Sequence, residues 1–417
     1  MSQLPLRRNR DFILLQVGQT LSTIGSQSTA IAYPLLVLAL THSPARAGIV
    51  GFAGVVPWAI FGLGAGVVAD RARRKRVMIT CDAVRIVAVA SIIVAAATDR
   101  LTFVHVALVA FLEGTMFVFF NVAEFGALRS VVSTSQLPRA VAAEQARYST
   151  VGLVGPPLGG ALFGIGRTLP FVANATSVFF SLGSLLAIRT PFQAVREAAA
   201  EPLRGQLAVG LRWLWGHPFL RTCAVLFAFT NLIYEGVILV VVVVGKRQGL
   251  GGGEIGALIA VFGACSLAGS ALAPTLQRRL SMRAIVLTSF WMQPVIAVFV
   301  LDPSVYVLLA GAVPMMVLLP AVNSTVIGYR VGVVPDELTG RVNSVARTIA
   351  LCGAPLGPLL AGLLLSTVSP RLTVGVLTLL LLVPPVVGTA TAPIRNAPSL
   401  SELDEPPTPE ASPAAAG

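Results

Sequence analysis

Residues 66–76 read GVVADRARRKR, and this short stretch lies between two long apolar segments, 45–69 and 77–97. Five of its last six residues are Lys or Arg, whereas the two flanking segments carry few charges. Apolar segments of about 20 residues match the thickness of the hydrocarbon core of a bilayer. We therefore predict that both segments cross a membrane and that the basic stretch forms the loop between them.

The same pattern continues through the whole chain. Hydrophobic residues make up 55% of its 417 residues, charged residues only 12%, and the mean hydropathy is +0.83. A soluble domain usually has about 25% charged residues, so this composition indicates a membrane protein. We predict twelve spans, numbered here 1 to 12, near 12–40, 45–69, 77–97, 101–127, 142–165, 168–188, 221–245, 254–276, 284–301, 304–330, 345–366 and 372–392.

The distribution of basic residues predicts the orientation of these spans. A net charge of +12 is compatible with nucleic-acid binding, but the 30 Lys and Arg residues form short clusters between apolar segments and not one continuous face. With the N-terminus inside, 21 of the 30 fall on inner segments and six on outer loops. Positive charge favours the cytoplasmic side, so we predict a multi-pass bacterial cytoplasmic (inner) membrane protein with both termini in the cytoplasm, which contacts lipid and no nucleic acid.

Catalytic and metal-binding patterns are not found in the sequence. The four cysteines lie in apolar segments without C-x-x-C spacing, and the three histidines lack the spacing of metal ligands. No phosphate-binding G-x-x-x-x-G-K-[ST] loop occurs. We expect no cofactor, no metal and no enzymatic activity.

Two matches within the sequence indicate a duplication of six helices. A shift of 202 residues aligns Asn121 with Asn323, and a shift of 198 aligns residues 155–159 with 353–357, GPPLG with GAPLG. We therefore predict an all-α membrane protein whose twelve transmembrane helices form two pseudo-symmetric six-helix bundles. The expected divisions are an N-terminal half (1–189), a cytoplasmic linker (190–220) with an interfacial helix at 207–214, a C-terminal half (221–392) and a disordered cytoplasmic tail (393–417).

The loop between spans 2 and 3 resembles the G-x-L-A-D-R-x-G-R-K signature of the major facilitator superfamily. The matching residues are Gly66, Asp70, Arg71, Arg74 and Lys75, whereas Val68 and Arg73 depart from the signature. The resemblance implies a gate in which Arg74 pairs with an acid at the inner end of span 4, and Glu124 is the available acid. Such a cluster would hold the two halves together in an outward-open state.

Span 5 contains a second motif with the same resemblance. Its residues Gly155, Pro156, Gly159 and Gly160 are similar to the G-P-x-x-G-G motif that the family associates with antiport exporters. Close packing of helices through small residues is the alternative explanation. The opening RDFILLQVGQTLSTIG (10–25) resembles the branch of the superfamily that contains siderophore and macrolide exporters.

Ionisable residues inside a bilayer are candidates for function because each is costly unless paired or hydrated. Glu113 lies in the middle of span 4 and Glu235 in span 7, where a carboxyl group could exchange a proton for substrate. Asp82 and Arg85 are three residues apart on span 3, a spacing that permits an ion pair within the helix. Further candidates are the polar residues Asn121, Gln16, Gln19 and Gln27, and those of span 1 share one face with Thr20 and Thr23.

We therefore predict a secondary active transporter that works by alternating access and exports a small amphipathic molecule, such as a drug, a siderophore or a secondary metabolite. Protons are the expected coupling ion. Because a fold alone does not determine direction, import of a small nutrient remains an alternative. Movement of a lipid or lysolipid between leaflets and a non-transporting sensor are two others.

Overall fold

The long apolar segments form helices because backbone N–H and C=O groups in hydrocarbon must be paired within the segment itself. The computed structural model describes residues 6–192 and 203–397, apart from a few side chains inside helices, among them those of 67–71. Nearly all of this described part is helical. The predicted all-α membrane fold is thereby confirmed.

Six helices form the first set: α1 (Arg10–Thr41), α2 (Pro44–Arg71), α3 (Arg74–Ala97), α4 (Phe103–Val131), α5 (Leu137–Ile165) and α6 (Leu169–Ala187). A helix of the linker follows, α7 (Leu203–Gly216). The second set comprises α8 (Pro218–Arg247), α9 (Gly252–Arg279), α10 (Met282–Met292), α11 (Val305–Val333), α12 (Asp336–Leu351), α13 (Leu356–Thr367), α14 (Pro370–Leu381) and α15 (Val383–Ala390), and a short α16 (Ala392–Arg395) ends it.

Every predicted span corresponds to one helix or to two consecutive helical segments. In the described part, eleven of these are long and apolar enough to cross a bilayer. The remaining one is α5, whose apolar portion, Thr150–Ile165, is shorter. The first half of this helix carries the charged residues Arg139, Glu144 and Arg147.

Span 11 differs most from its predicted bounds. Helix α12 begins at Asp336, nine residues before the predicted start, because its first turns are polar and carry no hydropathy signal. The span is then interrupted at residues 352–355, just before α13. Spans 9 and 12 are interrupted as well, and a proline lies at each of the three breaks: Pro294 in span 9, Pro355 in span 11 and Pro384 in span 12. Proline interrupts a helix because it lacks a backbone N–H.

The linker contains the predicted helix, and it is longer than predicted. Helix α7 packs against α12 and α8, and Gly210 lies so close to the backbone of Arg341 that a side chain at this position would clash. The predicted disordered tail lies outside the described residues from position 398 onward.

The two sets of helices repeat one packing scheme. In the first set α1 packs on α5 and α6, and α2 packs on α4; in the second, α8 packs on α13 and α14, and α9 packs on α11. The contacts between the sets are also paired, because α5 meets α9 and α13 meets α2. This arrangement is the pseudo-symmetry that the internal sequence matches predicted.

The buried apolar residues form three cores whose positions define the shape of the molecule. One core contains residues from both sets, including Leu35, Ile92, Val241 and Phe299, and lies at the end opposite the 71–76 loop. At the end that carries this loop, a second core draws only on the first set and a third only on α7 and the second set. The sets are therefore joined at one end and packed separately at the other.

Candidate functional site

A cavity of about 660 Å³ lies between the two sets of helices. Four helices of the first set (α1, α2, α4, α5) and four of the second (α8, α9, α11, α13) line it. Each set contributes one carboxyl group, Glu113 from α4 and Glu235 from α8. The other polar and aromatic side chains of the lining include Ser26, Gln27, Thr29, Tyr33, Trp58, Phe117, Tyr234 and Ser266.

Glu113 is held by side chains from three neighbouring helices. The Tyr33 hydroxyl of α1 donates a hydrogen bond to Oε2 at 2.6 Å, and Nδ2 of Asn174 on α6 donates to Oε1, also at 2.6 Å. Nη2 of Arg85 on α3 lies 3.6 Å from Oε1. The charge of this buried carboxylate is thus balanced by a guanidinium and two donors.

The predicted ion pair of Asp82 and Arg85 is present, with 3.3 Å between Oδ1 and Nη1. Both side chains are almost fully buried, at 0% and 1% exposure. Ser181 of α6 donates to Oδ2 of Asp82 at 2.7 Å, and Arg85 donates to the Ser22 hydroxyl of α1 at 3.1 Å. Arg85 therefore lies between two carboxylates, Asp82 and Glu113, in a polar network that connects α1, α3, α4 and α6.

Glu235 has a different environment, although it lines the same cavity. Its side chain is half-buried, and no ion pair or hydrogen bond reaches it from the part of the chain that the structure describes. Its neighbour Asn231, one turn earlier on α8, donates to the backbone oxygen of Ala350 at 3.0 Å. The second carboxyl group of the cavity is therefore left open to a ligand or a proton.

Glu124 does not pair with the residue that the family resemblance suggested. Nη2 of Arg147 on α5 lies 2.7 Å from Oε1 of Glu124, whereas the described contacts of Arg74 are the backbone oxygens of Gly126 and Phe192, at 3.2 and 3.5 Å. Residues 124 and 126 are about 200° apart around a helix. Glu124 therefore faces α5 while Gly126 faces α3, which corrects the predicted pairing.

The basic loop is attached to the first set through backbone oxygens. Nζ of Lys75 donates to the carbonyl of Ile188, the C-cap residue of α6, at 2.6 Å. A cation is favoured at this position because the C-terminus of a helix carries partial negative charge. Gly66 lies in the last third of α2, and the side chains of Asp70 and Arg71 lie outside the described residues.

The span 5 motif lets α5 approach two helices at once. Cβ atoms at Gly155 and Gly159 would clash with Gln27 and Ser28 of α1, and one at Gly160 would clash with Gly252 of α9. The Ser28 hydroxyl donates to the carbonyl of Gly155 at 3.0 Å. These contacts fit the close-packing explanation, and they occur both within the first set and between the two sets.

Pro156 leaves one backbone oxygen of α5 without its usual hydrogen bond within the helix. Because proline has no N–H, the backbone oxygen of Gly152, four residues earlier, has no donor from this turn. That oxygen faces Gly263 of α9, and Pro156 and Gly152 both line the cavity. The motif therefore forms part of the cavity wall as well as an interface.

The polar residues of α1 divide between two environments. Gln27 lines the cavity, whereas Gln19 is buried and donates to the Ser181 hydroxyl of α6 at 3.1 Å. Gln16 is half-buried near the loop end of α1, and Asn121 is half-buried on α4; neither is among the described cavity-lining residues.

Sequence reasoning missed four residues of the site. Asn174 is a polar residue within an apolar span and could have been found by the rule that identified Glu113. Tyr33 and Trp58 gave no signal, because aromatic residues are common in such helices. The guanidinium of Arg347 lies 5.1 Å from the centre of the Trp58 ring, a contact between α12 and α2 that no local pattern indicates.

A duplicated helical scaffold with a mainly apolar cavity that receives one carboxyl group from each half defines this protein as a membrane transporter. Comparison with known proteins agrees, since the family model described as transmembrane secretion effector matches residues 2–411. The chain belongs to this family of the major facilitator superfamily. A relative in Mycobacterium tuberculosis, the multidrug efflux pump Tap, is 28% identical over 412 residues, which cover 94% of each chain.

Solved structures show the same fold. A bacterial homologue of the human lysosomal transporter Spinster, crystallised in an inward-facing and unoccupied conformation, superposes with a TM-score of 0.71 at 15% identity and covers 91% of this chain and 96% of its own. An inward-facing bacterial homologue of the iron transporter ferroportin gives 0.70 at 18% identity, with 92% and 98% covered. At these identities the likeness concerns the fold alone.

Proposed function

We propose that this protein exports small amphipathic organic molecules from the cytoplasm in exchange for protons. One observation carries the proposal: a cavity of about 660 Å³ with a carboxyl group from each half lies where the two sets of helices separate. Cavities of about 300–1,000 Å³ hold drug-sized ligands. The efflux function of the mycobacterial relative supports the outward direction.

The transport cycle follows from the arrangement of the cores. The moving bodies are residues 1–189 and 221–392, connected by 190–220, and both termini lie in the cytoplasm according to the positive-inside pattern. The cavity then faces the cytoplasm, and the shared core closes the opposite end. Outward opening requires the sets to separate there and to meet at the basic loop, where Gly66, Asp70, Arg71, Arg74 and Lys75 form the gating segment.

Glu113 is the proposed coupling residue. Its carboxylate accepts hydrogen bonds from α1 and α6 and lies beside Arg85 of α3. The strength of the contacts from α4 to these three helices therefore depends on the charge of Glu113. When Glu113 takes up a proton, Arg85 loses one of its two carboxylate neighbours and keeps Asp82 as the other. Exchange of the proton for substrate is thereby linked to the relative positions of α1, α3, α4 and α6.

The test is an efflux assay in bacterial cells that lack their own drug pumps, with a panel of dyes and antibiotics. Cells that express the protein should accumulate less of at least one compound, and a protonophore should abolish the difference. The Glu113→Gln variant should lose export by about tenfold or more, as expected when an essential proton carrier is removed. Efflux that persists with the protonophore would exclude proton antiport, and higher accumulation would indicate import.

A further inference from the structure

We propose that Glu235 and Trp58 form a binding site for a planar organic monocation, and that Arg347 occupies its aromatic side when no substrate is bound. This inference rests on the proposed export function and specifies the substrate class. It depends on three observations: a carboxylate without a partner, an aromatic pair on the opposite set of helices, and a cation from the protein already on one of the rings.

The first observation concerns charge. Glu235 lines the cavity and has no ion-pair or hydrogen-bond partner within residues 6–192 and 203–397. Glu113, the other carboxylate of the cavity, is balanced by Arg85, Tyr33 and Asn174. A carboxylate in a membrane protein is costly without compensation. Glu235 is therefore the group of the cavity that gains most from a ligand with a positive charge.

The second observation concerns the aromatic rings. Trp58 of α2 and Phe117 of α4 both line the cavity, and they pack edge to face with 6.2 Å between ring centres and 69° between planes. This contact fixes the orientation of the indole. The face of an indole ring attracts cations more strongly than the face of any other side chain. The first set of helices therefore presents a cation-binding ring and the second set a carboxylate.

The third observation shows that the indole ring accepts a cation. The guanidinium carbon of Arg347 lies 5.1 Å from the centre of the Trp58 ring. The Arg347 side chain is exposed, and none of the described carboxylates pairs with it. A planar cation that stacks on this face of Trp58 must displace the guanidinium, which can move into solvent because no described hydrogen bond or ion pair holds it. Arg347 thus competes with substrate for the ring.

Binding of two probes to the purified full-length protein in nanodiscs tests the inference. Ethidium is a planar monocation, and Nile red is a planar uncharged dye, so fluorescence anisotropy with both separates charge from shape. Glu235→Gln should weaken ethidium binding by about tenfold or more, the effect of losing a charged contact. Nile red affinity should change by less than about twofold. Trp58→Leu should weaken ethidium binding by about fivefold.

The Arg347→Ala substitution should change ethidium affinity in the opposite direction. Ethidium should bind about threefold more tightly to this variant, because an exposed cation–π contact no longer competes for the ring. The matched control is Arg46→Ala, which removes another cation–π contact, 5.7 Å from the Phe103 ring and outside the cavity lining. Ethidium affinity should be unchanged in the control.

Two results would overturn the inference: wild-type protein that binds Nile red but not ethidium, or a Glu235→Gln variant that loses both dyes equally or neither. The proposed export function fails separately, when cells expressing the protein export no compound of the panel. If the variants bind ethidium as wild type does while cells still show protonophore-sensitive efflux, the cation site is rejected and the proposed export function stands.

Discussion

The two sets of helices share a packing scheme but differ in how their buried ionisable side chains are paired. The first set buries five ionisable side chains in its interior and pairs them: Asp82, Arg85, Glu113, Glu124 and Arg147. Among the described residues of the second set, the cavity receives one carboxyl group, Glu235, and it is unpaired. The difference indicates that a duplicated scaffold has divided its tasks, with an internally balanced network in one half and a group available to ligands in the other.

The largest effect is expected when the balance of the first set is removed. Arg85→Ala leaves Asp82 and Glu113 buried without their common cation, which should lower the free energy of unfolding by about 3–5 kcal/mol. Thermal unfolding in detergent measures this loss. The double variant Arg85→Ala with Asp82→Asn should recover part of it, because one uncompensated charge is gone.

The matched control is Arg129→Ala, since Arg129 is exposed near the loop end of α4 and packs on the Phe125 ring. A change below about 1 kcal/mol is expected for such a contact. If Arg129→Ala and Arg85→Ala destabilise the protein equally, the network is not what distinguishes the first set.

An intermediate loss of stability is expected when the contact between the two sets, formed by α5 and α9, is disrupted. Gly160→Val should separate these helices, because a side chain at this position would overlap the backbone of Gly252. Overpacking of this kind costs about 1–3 kcal/mol. Gly164→Val is the control from the same helix, since a Cβ there would lie 4.0 Å from its nearest neighbour.

Both variants are compared by thermal unfolding and by efflux in cells. We expect Gly160→Val to be less stable and to export less, whereas Gly164→Val should resemble wild type. Equal behaviour of the two would mean that the close approach at Gly160 is not required.

The smallest effect concerns one hydrogen bond of the network. Tyr33→Phe removes the donor to Oε2 of Glu113 but leaves Asn174 and Arg85 in place. Hydrogen bonds between membrane helices average about 0.6 kcal/mol, so a loss of about 1 kcal/mol is expected for this charged acceptor. Tyr306→Phe, at an exposed tyrosine of α11, should cost nothing measurable in the same unfolding experiment.

The sequence predicted the helices well because hydropathy follows directly from bilayer thickness. It also located both cavity carboxylates, since few ionisable residues occur within the spans. It failed on partners: Glu124 pairs with Arg147 and not with Arg74 because helix rotation decides which face meets which neighbour. Tyr33 and Trp58 escaped notice because their roles depend on contacts with residues about 60–290 positions away, which no local pattern encodes.

The core that the two sets share has a consequence for the energy supply of the cell. It is built from buried apolar side chains, such as Leu36, Val89, Val240 and Phe299. A constriction of this kind excludes water, and without water neither protons nor ions pass. In the proton-coupled exporter proposed above, such a core would insulate the membrane, so that the gradient is not dissipated between transport cycles.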